Sequence, residues 1–136
     1  MGSGLERVVV ASVAVTARAL AEVAPELTFL QWRVLVLVDA PDGMGVGQLA
    51  TALDAKIAAV SRLIGRLRVR GLVETRRGDS DARTVFVRLT AKGEDLRQRV
   101  VERRRLELRA AVGQAQLPRE TVATIDWLAG ALERLA

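Results

Sequence analysis

The segment Leu53-Asp54-Ala55-Lys56-Ile57-Ala58-Ala59-Val60-Ser61-Arg62-Leu63-Ile64-Gly65-Arg66-Leu67, followed by Arg70-Gly71-Leu72-Val73, decides how this chain folds. Between residues 57 and 70 the apolar side chains Ile57, Val60, Leu63, Ile64 and Leu67 recur at the spacing of one helix face. Gly71 supplies the stop, because glycine accepts the left-handed conformation that commonly follows a helix end. On the N-terminal side residues 46–53 carry a shorter helical pattern, and Asp54-Ala55-Lys56 leaves room only for a tight turn. Two short helices joined in this way form a helix-turn-helix, whose second helix enters the major groove of DNA.

Downstream the pattern changes to strands. Residues 72–76 read as one and residues 85–89 as another, with Val85, Val87 and Leu89 alternating against Phe86 and Arg88. Arg77-Gly78-Asp79-Ser80-Asp81-Ala82-Arg83 lies between them, so the pair is a β-hairpin wing. Thr90 caps a long helix over 91–112, whose Arg-rich and Glu-bearing surface predicts an exposed helix laced by charge pairs. Gly113 and Pro118 bracket a turn, and Pro118 suits the first position of a final helix carrying Val122, Ile125, Leu128, Leu132 and Leu135.

Upstream, Thr28 and Gln31 have capping-box spacing and Leu27 and Trp32 stand at hydrophobic-staple positions. A helix therefore starts at Phe29 and runs through Val34, Leu35, Leu37 and Val38, stopping before the turn signal Pro41-Asp42-Gly43. The first segment, 5–23, is a Val- and Ala-rich helix apolar on more than one side, which needs two partners to bury it. Pro25 follows it. With no repeat, low-complexity segment or long linker, the expected fold is a single domain, mainly α with a small β-hairpin wing.

Composition narrows the function. The 136 residues suit one domain, and with two Phe, two Trp and no Tyr the interior must be built from Leu, Val and Ala. His and Cys are absent, which removes the usual zinc ligands, the commonest general base and the thiol nucleophile. No paired carboxylates stand at a telling spacing, so an enzyme, a metal and a cofactor are not expected. Residues 8–15 resemble a signal-peptide core and Ala19-Leu20-Ala21 a cleavage site. Glu6 beside Arg7, and Arg18 and Glu22 farther on, argue against secretion, and the stretch is too short to span a bilayer, so a cytoplasmic protein is expected. The net charge of +5 is localised: residues 54–90 hold nine Arg or Lys against four acids, while the rest of the chain is balanced at twelve of each. A positive field confined to one segment is what a phosphate-facing surface requires, although an ordinary solvated Arg-rich face has the same composition.

These blocks resemble the MarR family of bacterial transcriptional regulators. The quoted segment is similar to the family's recognition-helix region, Asp81-Ala82-Arg83 to its Asp-x-Arg wing motif, and Val87-Arg88-Leu89-Thr90-Ala91-Lys92-Gly93 to its strand-to-helix Leu-Thr-x-x-Gly element. The spacing fits without gaps, and the resemblance covers nearly the whole chain, including 27–37, with the termini matched by pattern. Lys56 departs from the family's usual Ser or Thr cap, leaving Asp54 as the alternative source of a capping oxygen. Gly65 replaces a longer residue and weakens the helix by about 1 kcal/mol relative to Ala. The resemblance implies a homodimer in which residues 1–26 and 95–136 interlock, leaving 28–93 as the winged helix-turn-helix lobe that meets half of a pseudo-palindrome. It further implies a repressor released when a small anionic aromatic or phenolic effector binds between the lobes.

Projected at about 100° per residue with Val60 inward, the helix 57–70 turns Ala58, Ser61, Arg62, Gly65 and Val69 outward. Small Ala58 and Gly65 permit close approach to the groove wall, so Ser61 and Arg62 are placed to read base edges, and Ala59 beside them is a further DNA-contact candidate. Lys56 and Arg66 suit phosphate, as do Arg76 and Arg77 at the wing base. Arg83 beside the wing turn suits the minor groove, and Asp81 would hold it, or an arginine at the wing base, in position; the alternative is a plain turn-residue cluster. The family's effector pocket lies near the first two helices, which makes Val13, Thr16, Ala17, Trp32 and Arg33 ligand candidates, with Arg33 the cation for a carboxylate. The staple position of Trp32 explains it equally well as core, and Trp127 could serve interface, core or surface. Three functions compete: an effector-responsive regulator, a DNA-binding winged helix without a small molecule, and a winged helix used for protein partners.

Overall fold

Three of the helices start where a Ser or Thr side chain caps them. In the computed structural model, which describes residues 3–79, 83–113 and 118–133, α1 (Gly4–Val23) begins after Ser3, whose Oγ accepts from the Glu6 amide at 3.3 Å. The start of α2 (Phe29–Leu37) has both halves of the capping box. Gln31 N donates to Thr28 Oγ1 at 3.2 Å, and Thr28 N donates to Gln31 Oε1 at 3.0 Å. Leu27 and Trp32 are both buried beside this cap, Trp32 with 3% of its surface exposed. The helix stops one residue earlier than the sequence pattern suggests, with Val38 as its C-cap.

A two-residue strand, β1 (Met44–Gly45), follows, and no sequence period announced it. Gly43 makes it possible: its φ is +75°, and a Cβ there would lie 2.2 Å from the Val87 carbonyl oxygen. Next come α3 (Val46–Ala52) and α4 (Ile57–Val69). The turn between them is a helix C-terminal motif of the Schellman type, in which Ala55 N donates to Ala50 O and Asp54 N to Thr51 O. Asp54 takes the left-handed position, at φ 48°, that glycine usually fills. The expectation that Asp54 caps α4 is therefore corrected: it ends α3, and the α4 start at Lys56 has no side-chain cap hydrogen bond. The same motif ends α4, with Gly71 at φ +69° and Leu72 N donating to Leu67 O at 3.0 Å.

The wing consists of β2 (Val73–Arg77), one residue later than expected, and β3 (Val85–Leu89), antiparallel with Val73 opposite Leu89 and Arg77 opposite Val85. β1 adds to the other edge of β3, giving the order β1-β3-β2. Thr90 then locks the wing to α5 (Ala91–Val112): its amide donates to Leu72 O, its hydroxyl donates to Gly71 O at 2.6 Å and accepts from Gly93 N. Gly93 is required here, since a Cβ would lie 1.9 Å from the Leu72 carbonyl oxygen. The last helix, α6 (Arg119–Glu133), starts just after Pro118, whose carbonyl accepts from Thr121 and Val122, so Pro118 precedes the first helical residue instead of occupying it. The side chain of Leu132, and all of Leu135, lie outside the described residues.

One core joins these elements. Val34, Leu35 and Val38 of α2, Leu49 of α3, Val60 and Leu67 of α4, Val87 of β3 and Val100 of α5 are fully buried, with Ala19 and Leu20 of α1 packed against them. Each such Leu or Val stabilises the fold by roughly 1.5–3 kcal/mol. Ion pairs Arg18–Glu107 and Arg103–Glu22, both 2.6 Å, join α1 to α5. Arg99–Asp95 and Arg105–Glu102 run along α5 itself, the charge lacing expected there. The chain ends are different: Leu5, Val8, Val9, Val10 and Val13 are exposed, and no described side chain of α6 is buried. No helix among the described residues is long and apolar enough to cross a membrane.

Candidate nucleic-acid interface

The packing of α4 sorts its residues into two sets. Val60, Leu63, Ile64 and Leu67 are buried, while Ala58, Ala59, Ser61, Arg62, Arg66 and Val69 are exposed, the last at 90%. Ile57, placed on the inner face by its spacing, is instead 59% exposed. It occupies the first helical turn, where the residues that would cover it belong to the solvent-facing loop after α3. Lys56 is exposed at the uncapped start of the same helix, where the first amides and the positive end of the dipole favour an anion.

Between α4 and the wing runs an open cleft of about 930 Å³, lined on one side by Ile57, Ser61, Gly65 and Arg68 and on the other by Arg76, Arg77 and Arg83. Gly45 and Gly47, from the start of α3, form part of its floor. Arg68 belongs to this site although its sequence position alone gave it no role; its signal was its place one turn after Gly65, on the same side of the helix. On the other flank of α4, Ala59, Arg62 and Arg66 border a crevice of about 280 Å³ with Leu30 and Leu63.

Charge pairing divides the basic segment. Arg70 is tied to Glu26 at 2.8 Å, Arg76 to Asp79 at 3.0 Å, and Arg88 to Glu74. Among the described residues Lys56, Arg62, Arg66, Arg68 and Arg77 form no ion pair. These five belong to α4 and the wing, so within the basic segment the cations without an ion pair lie on the surface that presents the exposed helix. An unpaired surface arginine or lysine keeps its full attraction for phosphate. Asp81, expected to orient Arg83, lies outside the described residues. The wing-base arginine Arg76 is held by Asp79 instead.

The five ligand candidates are not assembled in this way. Trp32 is buried in the core, and Thr16 is buried with its hydroxyl donating to Ser12 O at 2.9 Å. Val13 and Ala17 are exposed on α1. Arg33 projects from the opposite face of α2 to Trp32's neighbours in the core, and its guanidinium donates to Ala52 O of α3 at 3.2 Å.

Comparison with known proteins agrees with this geometry. The MarR family model matches residues 26–84, the segment from the end of α1 through the wing turn. Among curated protein sequences there is no match. Among solved structures, RV1404 from Mycobacterium tuberculosis is similar at 27% identity and a TM-score of 0.78, over 95% of this chain and 88% of that one. The apo form of wild-type MarR from E. coli has 23% identity and a TM-score of 0.68, over 97% and 98% of the two chains. CouR from Rhodococcus jostii RHA1, solved bound to p-coumaroyl-CoA, has 24% identity and a TM-score of 0.68, over 94% and 87%. By the family match across residues 26–84 and by its fold over nearly its whole length, the chain is similar to the MarR-family winged-helix regulators.

Proposed function

We propose that two copies of this chain associate through their helical ends and repress transcription by occupying a pseudo-palindromic operator, one winged helix per half-site. The observation that carries the DNA contact is the set of cations without an ion pair among the described residues, Lys56, Arg62, Arg66 and Arg68 on α4 and Arg77 on the wing, of which Arg68 and Arg77 line the open cleft. In this reading Ser61 and Arg62 meet base edges, Lys56 and Arg66 meet phosphates, and Arg83, oriented by Asp81, enters the minor groove. The pairing of copies through residues 1–26 and 95–136 is supported by the exposed Val8, Val10 and Val13 of α1 and Val122, Ile125 and Trp127 of α6. Apolar surface on this scale is covered in a stable soluble protein. Selection from randomised duplex DNA, followed by titration at several salt concentrations, tests the proposal. If about 6–10 phosphates are neutralised, affinity falls by roughly 10³–10⁵ between 50 and 200 mM salt. A log–log slope near one or two overturns it.

An effector that releases the DNA is part of the proposal, supported by the p-coumaroyl-CoA bound to CouR. The placement of Trp32 in the core and of Arg33 against Ala52 favours a second reading, a winged helix that works without a small molecule. Thermal unfolding with and without salicylate-like acids separates the two, because a ligand at 100 times its Kd stabilises by about 2.7 kcal/mol.

A further inference from the structure

Glycine inside a helix costs about 1 kcal/mol relative to alanine, and a fold keeps it where a Cβ would collide or where φ is positive. Gly43, Gly71 and Gly93 meet one or both of those conditions. Gly47 and Gly65 meet neither: both have negative φ, and a Cβ built on either meets no atom within 4 Å. Nothing in the protein's own packing asks for glycine there. Yet both line the same cleft between α4 and the wing, together with Arg68, Arg76 and Arg77.

We propose that Gly47 and Gly65 set how deeply one sugar–phosphate strand of the DNA sinks into this cleft. They do so by leaving backbone where any side chain would hold the strand away from the arginines. The inference rests on the DNA-binding reading above and adds to it two affinity-determining positions and a phosphate role for Arg68. A strand passing from the major groove beneath α4 to the minor groove beneath the wing must cross the space between those elements. The cleft floor therefore limits how closely its phosphates approach the three guanidinium groups. Hydrogen bonds of this charged type weaken steeply once the donor–acceptor separation leaves the normal range.

The test uses the full chain, a duplex selected by the parent protein from a random pool, and an unrelated duplex of equal length. Gly47→Ala and Gly65→Ala are compared with Gly4→Ala, which adds the same methyl to α1 away from the cleft, again with nothing within 4 Å. The two cleft variants are expected to unfold no lower than the parent, with Gly65→Ala raised by roughly 2–4 °C. They are expected to bind both duplexes about tenfold more weakly, with hydroxyl-radical protection of one strand reduced, while Gly4→Ala binds as the parent does. Unchanged affinity and protection in Gly47→Ala and Gly65→Ala overturn the inference and leave the DNA reading standing. An altered selected sequence with affinity for the unrelated duplex unchanged also overturns it, since the glycines would then act on base reading. A parent that enriches no duplex overturns the DNA reading itself.

Discussion

Val34, Val60 and Val87 in the winged-helix lobe are fully buried, whereas Val8, Val10 and Val13 at the start of α1 stand exposed, Val10 at 64%. The residue type is the same and the cover is different. In the lobe, helices α2 to α4 and the wing close over one another, so the inner apolar faces find their partners in the same chain, while Ile57 and Val69 stay on the outer surface. At the ends, α1 is buried only along Val15, Thr16, Ala19 and Leu20, and no described side chain of α6 is buried. The comparison teaches that this chain carries two kinds of hydrophobic information, one that folds the lobe and one that a single copy leaves uncovered.

The comparison can be broken from either side, and the largest effect belongs to the lobe. Leu67→Ala empties a fully buried site beneath the recognition helix and is expected to cost about 2–5 kcal/mol in urea unfolding. A midpoint unchanged within error would mean that the lobe core is not the cooperative unit. Val13→Asp, on the exposed face of α1, is expected to weaken self-association by at least about 2 kcal/mol while circular dichroism keeps its helical signal. Light scattering reads the difference, and a dimer that survives the substitution removes α1 from the interface. Truncation is a poorer test, because a cut after residue 24 would also take Ala19 and Leu20 out of the core.

On the charged surface the effects are smaller. Arg62→Ala is expected to cost about 1–3 kcal/mol on a selected operator and to relax preference at one base pair per half-site. Repeating the DNA selection with the variant checks it; an unaltered base preference takes Arg62 out of the reading role. Arg18→Gln breaks the 2.6 Å pair with Glu107, but Arg18 is 60% exposed, so the loss in thermal stability should stay under about 1 kcal/mol. A drop of several degrees would mean that the α1–α5 contact depends on charge as much as on Ala19 and Leu20.

Much of the lobe was legible in the sequence because the physics that marks it is local. Thr28 and Gln31, Thr90 and Gly93, and Gly71 each satisfy backbone groups within a few residues, so spacing alone locates the helix ends. The exposed set on α4 followed from helical period for Ala58, Ser61, Arg62 and Val69, and failed for Ile57, where the period says which side a residue faces but not whether anything stands opposite.

What the sequence determined by itself, then, is the order of elements, the recognition helix and its basic charge, since each depends on residues within one or two turns. Only the tertiary structure decided the rest. β1 exists because Gly43 lets two residues approach Val87, far along the chain. Asp54 ends α3 and does not cap α4, Arg33 turns to the Ala52 carbonyl, and Arg68 joins the wing arginines around one cleft. For β1, Arg33 and Arg68 the reason is that a contact between elements is set by how they pack, which depends on shape and steric fit among residues that no local period connects, whereas Asp54 is fixed by the tight turn that ends α3.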